Sequence, residues 1–197
     1  MTPSLEMEIR NLVKYTVASV NQPPPESLFT YAAPAGFRAM NKLERAFPRP
    51  TLDLIGKPAP DLNLSTLDGR QMSLFSLRGK VVLLDFWATW CAPCRDQMPA
   101  IAKLVKETID QGLVVLGIND DETPERAARF ANEQKLDWPS LFDGKQHEAR
   151  EKYKVDGIPT LVLIDKHGVV VEYQFGSGPA TDATIRAALR KQDISID

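Results

Sequence analysis

Asp85-Phe86-Trp87-Ala88-Thr89-Trp90-Cys91-Ala92-Pro93-Cys94 joins a continuous apolar run to an amphipathic one, and its reading decides the fold. Upstream, Val81, Val82, Leu83 and Leu84 lie inside Lys80–Phe86, the pattern of a central strand buried on both faces. Downstream, Met98, Ile101, Leu104 and Val105 recur at helical spacing from about Ala92 to Asp110, with Pro99 expected to kink the helix and Gly112 to end it. A buried strand thus feeds a short loop, then a helix whose first turn carries Cys91. Free N–H groups and the positive end of the helix dipole stabilise an anion there, so the Cys91 thiolate is favoured near neutral pH. Cys94, three residues on, falls on the same helical face and can close a disulfide with little backbone movement. Pro93 in the first turn costs no hydrogen bond. The chemistry that follows is attack by Cys91 on a substrate disulfide, then resolution of the mixed disulfide by Cys94. Asp85, at the end of an apolar strand, is the candidate proton acceptor for Cys94, its pKa raised by burial.

These are the only two cysteines among 197 residues, so no disulfide framework holds the fold and both thiols belong to one local constellation. A zinc site would need His147 and His167 as further ligands, and neither stands at ligand spacing, so no metal is expected. A formal net charge of −2 without a Lys/Arg cluster excludes an evident nucleic-acid surface. No apolar run approaches the roughly 20 residues needed to span a bilayer. Glu6, Glu8 and Arg10 stand where a signal peptide would need an apolar stretch, so a complete chain would be cytoplasmic.

Strand and helix signals alternate from about residue 55 to 194. Leu62–Ser65 and Met72–Phe75 flank Asp68-Gly69 as a hairpin. Leu113–Ile118 reads as a second buried strand, parallel to the first through a right-handed crossover. Thr123-Pro124-Glu125 starts a helix reaching about Leu136, with the threonine hydroxyl as cap. A short helix is expected over His147–Tyr153. Thr160–Ile164 and Val169–Phe175 flank Asp165-Lys166-His167-Gly168 as a second hairpin, and a last helix covers about Asp182–Lys191. The result is an α/β fold with a mixed sheet and helices on both faces. Acidic Asn119-Asp120-Asp121-Glu122 reads as a solvated loop, and His147 and His167 as surface residues. Trp87 reads as core, and Trp90, beside the nucleophile, as substrate-facing surface.

Residues 1–50 differ in texture. Leu5, Met7, Ile9, Val13, Tyr15 and Val17 alternate with polar residues, so the segment is expected to be β-rich, with one face buried. Asn21–Pro25 makes a connector, Leu28–Ala32 a possible return strand, and Phe37, Met40, Leu43 and Phe47 one face of a linker helix before Pro48-Arg49-Pro50. A two-stranded hairpin is marginal alone, so it needs a partner surface. The expected division is therefore a β-rich segment with linker over 1–50, self-standing or the remnant of a larger domain, and an α/β domain over 51–197.

Gly157-Ile158-Pro159-Thr160 completes the site. Proline is tolerated at a strand's first position, and a cis Ile158–Pro159 bond would turn a backbone edge toward the dithiol, where an extended substrate peptide can pair. Together, Trp90-Cys91-Ala92-Pro93-Cys94, Asp85 and Ile158-Pro159-Thr160 resemble the thioredoxin superfamily. Gly56-Lys57-Pro58-Ala59-Pro60, Thr66-Leu67-Asp68-Gly69 and Ser76-Leu77-Arg78-Gly79-Lys80 resemble its TlpA/ResA-type branch, whose domain opens with an extra β-hairpin. The resemblance implies a thiol–disulfide oxidoreductase with catalytic Cys91, Cys94 and Asp85. Trp90, Ala92, Pro93, Ile158 and cis-Pro159 would shape substrate binding. It also implies protein substrates, a redox partner as electron donor, no cofactor, and reductase work outside the bacterial cytoplasm. Two positions depart from the branch: Asp85 stands where many members carry Asn, and Ala92 where Gly or Glu is common, leaving the potential open. Ser27-Leu28-Phe29-Thr30-Tyr31 followed by Pro34-Ala35-Gly36 resembles the last strands of a LolA-like lipoprotein carrier, which would make the chain part of a longer envelope protein.

Two other functions fit less well. A peroxiredoxin-like peroxidase expects Pro-x-x-x-Thr-x-x-Cys, but Thr89 is two residues before Cys91 and no proline stands four before it. An envelope binding module with a secondary redox role would place the function in residues 1–50.

Overall fold

The hydrophobic run after Lys80 forms strand β3 (Val81–Trp87), and all seven of its residues are buried in a computed structural model that describes residues 53–196. The strands, connector and linker helix expected within residues 1–50 lie outside the described residues. Around β3 the elements follow in order: β1 (Asn63–Ser65), β2 (Gln71–Ser73), β3, α1 (Ala92–Glu107), β4 (Leu113–Asn119), α2 (Pro124–Gln134), β5 (Ser140–Phe142), α3 (Glu148–Lys152), β6 (Thr160–Ile164), β7 (Val170–Phe175) and α4 (Pro179–Arg190). Strands β5-β4-β3-β6-β7 make one mixed sheet, while β1 and β2 pair separately. β4 runs parallel to β3 in the register Asp85↔Gly117, and β6 runs antiparallel to it in the register Asp85↔Leu161.

Alternation along β3 divides the core. Val81, Leu83 and Trp87 face one apolar cluster with Met98, Ile101 and Leu104 of α1, Ala127 of α2 and Ile185 and Leu189 of α4. Val82, Leu84 and Phe86 face the other with Leu62 just before β1, Leu64 within it, Ala149 of α3 and Tyr153 at its C-terminal end. Right-handed crossovers from β3 to β4 and from β4 to β5 put α1 and α2 on the same side. The mixed sheet covered on both faces agrees with the fold class read from the sequence. Leu116 is completely buried at the centre, and Leu116→Ala is expected to lower unfolding free energy by about 3 kcal/mol, measured by urea denaturation.

The chain ahead of the sheet pairs with part of each edge strand. Gly56 N–H donates to the Val170 carbonyl (2.8 Å), Val170 N–H to Lys57 (3.0 Å) and Ala59 N–H to Gly168 (2.8 Å), covering the start of β7. On the other side Leu67 N–H donates to Ser140 (3.0 Å), and Thr66 bridges to Leu141.

Several local expectations change. β5 was not foreseen, because three residues after Trp138-Pro139 are too few to set up an alternation. Leu74 and Phe75 belong to a 3-10 turn (Leu74–Leu77) capped by the Ser73 hydroxyl rather than to β2. α1 continues through Pro99 and ends at Glu107, three residues early, where Thr108 N–H and hydroxyl both turn back to the Leu104 carbonyl. Thr123 stands at the N-cap of α2 without a capping hydrogen bond. α4 starts at Pro179, because proline suits a first helical turn.

Candidate active site

β3 ends at Trp87, and the chain turns through Ala88-Thr89-Trp90 before α1, with Cys91 N–H donating to the Ala88 carbonyl (3.2 Å). Cys91 is the N-cap residue of α1, in extended conformation (φ −82°, ψ 99°), and its Sγ accepts the Cys94 N–H at 3.2 Å. One otherwise unpaired N–H of the helix start therefore points at the sulfur, the arrangement that lowers a thiol's pKa. Cys91 and Cys94 are joined as a disulfide with Cα atoms 5.3 Å apart. Both are nearly buried, whereas Ala92 and Pro93 are exposed and Trp90 keeps 55% of its surface in solvent.

Asp85 lies on the sheet face that packs α1, as its parity with Leu83 and Trp87 requires, and is 3% exposed. Burial pushes its pKa up to about 7, with no neighbouring charge offsetting the effect. The neighbouring strand explains part of this isolation. Gly117 stands beside Asp85, and a Cβ there would come within 2.2 Å of Ser140 Oγ and 2.8 Å of Trp87 Nε1. Nothing larger than glycine fits, so β4 brings no cation over the carboxyl.

Thr160 opens β6 opposite Phe86, so Ile158 and Pro159 lie at the end of the sheet from which the cysteine loop departs. The Ile158–Pro159 bond is cis. Thr160 Oγ1 donates to the Gly157 carbonyl (2.7 Å), and Gly176 N–H to the Pro159 carbonyl (2.8 Å). Gly157 lies under the Phe175 ring, which a Cβ there would meet at 2.9 Å. Ile158 packs against the cluster containing both cysteines. The fold thus brings the residues expected to touch substrate to one end of the sheet, with Asp85 on the helix-covered face of its central strand.

The acidic stretch after β4 is not the solvated loop expected. Asn119 and Asp121 are completely buried. Asp121 accepts hydrogen bonds from Thr89 N–H (2.9 Å), the Thr89 hydroxyl (2.6 Å) and Asn119 Nδ2 (2.8 Å), so its charge is met by donors rather than by water. Asp120 meets Arg150 (2.7 Å) and His147 (2.8 Å). Asp120, His147 and Asp143 come together, but Asp143 already accepts from the N–H groups of Ala149 (2.8 Å) and Arg150 (3.0 Å), so the trio holds α3 in place. Gln97, one turn after Cys94, was also missed: it is buried, and its Oε1 has no partner among the described residues. A polar residue inside the stripe Cys94, Met98, Ile101 was the available signal.

The AhpC/TSA family profile matches residues 55–173. Thioredoxin-like protein YneN of Bacillus subtilis is 42% identical over 124 residues, 62% of this chain and 72% of that protein. Thiol-disulfide oxidoreductase ResA of Bacillus anthracis is 38% identical over 122 residues, 62% of this chain and 70% of that protein. The crystal structure of the thioredoxin domain of a Bacteroides vulgatus thiol-disulfide oxidoreductase superposes with a TM-score of 0.61 at 28% identity, covering 68% of this chain and 96% of that one. A thiol:disulfide interchange protein of the thioredoxin family from Chlorobium tepidum gives 0.58 at 28% identity, covering 68% and 94%. With its dithiol at the start of a helix after the central strand of a thioredoxin fold, the chain belongs to the AhpC/TSA family and is a thioredoxin-like thiol–disulfide oxidoreductase.

Proposed function

We propose that the protein reduces disulfides of protein substrates outside the cytoplasm, with Cys91 as nucleophile, Cys94 as resolving thiol and Asp85 as proton acceptor. The observation that carries this reading is the placement of Cys91 Sγ at the N-terminus of α1, on the Cys94 N–H (3.2 Å). In the reduced enzyme the Cys91 thiolate attacks one sulfur of a substrate disulfide, forming a mixed disulfide and releasing the other sulfur as a thiolate. Cys94 passes its proton toward Asp85 and attacks Cys91, which frees the second substrate thiol. The substrate gains two electrons and the enzyme is left with its disulfide closed, to be reopened by a separate reductant protein. Trp90, Ala92 and Pro93 form one wall of the substrate surface, and the Ile158–Pro159 backbone the other. Extended peptide binds along that backbone as an added strand. Among the described residues no helix is long and apolar enough to cross a membrane. Residues 51–197 act as the redox unit.

The direction is tested by equilibrating the protein in dithiothreitol and glutathione buffers and following tryptophan fluorescence. A potential near or below about −270 mV is expected of a reductant. A value above about −180 mV would overturn the direction and make the enzyme an oxidant or isomerase.

A further inference from the structure

We propose that Asp121 is a positioning residue for the nucleophile, acting through Thr89 to hold the loop that sets Cys91 at the start of α1. This rests on the assignment of Cys91 as the attacking thiol. Its carboxylate is completely buried, and both oxygens are used on one residue two positions before Cys91. Oδ2 takes the Thr89 N–H (2.9 Å) and Oδ1 the Thr89 hydroxyl (2.6 Å). Asn119, also buried, braces the acid from behind: Nδ2 donates to Oδ2 (2.8 Å), and its Oδ1 receives the Asp121 N–H (3.1 Å). Asp120 N–H donates to the Trp87 carbonyl (3.0 Å), fastening the end of β3 to the end of β4. Within the loop itself there is only the Cys91 N–H bond to Ala88 (3.2 Å). Among the described residues, the loop's hydrogen bonds to the rest of the fold ahead of Cys91 come from residues 120 and 121.

A buried carboxylate is tolerated only where donors meet it, so the acid and the loop fix one another. The consequence reaches the chemistry because stabilisation by a helix N-terminus falls off within the first turn. A loop free to tilt would carry Cys91 Sγ away from the Cys94 N–H and raise the energy of the thiolate. A purely structural clamp would alter stability and leave the thiolate unchanged.

The test uses the full chain, reduced, and follows iodoacetamide alkylation against pH with adducts mapped to Cys91 or Cys94. Thr89→Val keeps the N–H and the shape but removes the hydroxyl. It is expected to slow Cys91 alkylation about tenfold at neutral pH and to move the midpoint up by about one pH unit. Thr89→Ser should restore the profile, and Asp121→Asn, which turns an N–H₂ donor toward other donors, should displace it at least as far as Thr89→Val. Asp85 is present in every variant, and Arg126, 3.7 Å from Asp121, is the other charged group at the clamp, so the Val–Ser comparison isolates the hydroxyl. Variants with lowered melting temperature whose Cys91 profile superposes on the parent's would overturn the proposal. If Asp121→Asn does not fold, Thr89→Val against Thr89→Ser decides alone. Preferential alkylation of Cys94 in the parent would instead sink the nucleophile assignment, and the proposal with it.

Discussion

Cys94→Ser is expected to collect its substrate covalently, one equivalent per enzyme, and to lose turnover by a factor on the order of 10³ or more. The two thiols are not interchangeable. Cys91 caps α1 and carries the backbone donor, and its rim neighbours Trp90, Ala92 and Pro93 are exposed. Cys94 is buried to the same degree as Cys91 and stands inside the first turn with its Cα 5.3 Å away, close enough to displace a substrate sulfur from it. Serine at 94 leaves the first attack intact and removes the second, so the mixed disulfide persists. Cys91→Ser should form no adduct at all. The measurement is a non-reducing gel and intact mass after mixing reduced variant with a disulfide-bearing protein. An equal yield of adduct from Cys91→Ser would reverse the roles assigned here.

Asp85→Asn is expected to stabilise the fold at alkaline pH while slowing resolution. The carboxyl's pKa rises from 3.8 to about 7 because burial disfavours its charge. A group whose folded pKa is raised contributes stability that is fully present below about pH 4 and is lost as pH climbs through 7. Taken over the whole interval this is about 4 kcal/mol, so the gain of the asparagine variant over the parent should grow from near zero at pH 4 to about that size at pH 8. Denaturant melts at three pH values measure it, and a constant difference would exclude Asp85 as the titrating group. Turnover should respond in the opposite sense. The parent's resolution step should rise through pH 7 as Asp85 becomes able to take the Cys94 proton. In Asp85→Asn that rise should disappear, with the rate reduced about a hundredfold.

The elements that carry the chemistry were legible because each rests on a local signal. An apolar run marks β3, and a cysteine pair at helical spacing marks the face of α1 toward the sheet. A turn residue at each end marks the hairpins. Strand β5 and the burial of the acidic stretch were not legible. Three residues have no period, and Asn119–Glu122 has the composition of a solvated loop until Thr89 is known to lie against it.

By itself the amino-acid sequence determined the alternation of strands and helices, the mixed sheet, the dithiol and its place at a helix start. All of these follow from spacing along the chain and from the backbone's need for hydrogen bonds. Only the tertiary structure decided how isolated Asp85 is, because that depends on Gly117 of the neighbouring strand and on the side chains of Ser140 and Trp87 filling the space beside it. It alone decided that Asp121 serves the nucleophile's loop, since residues 32 apart meet only when two parallel strands end side by side. Spacing governs what a residue can form with its neighbours in the chain, whereas desolvation and partner choice depend on which strands are adjacent in the sheet.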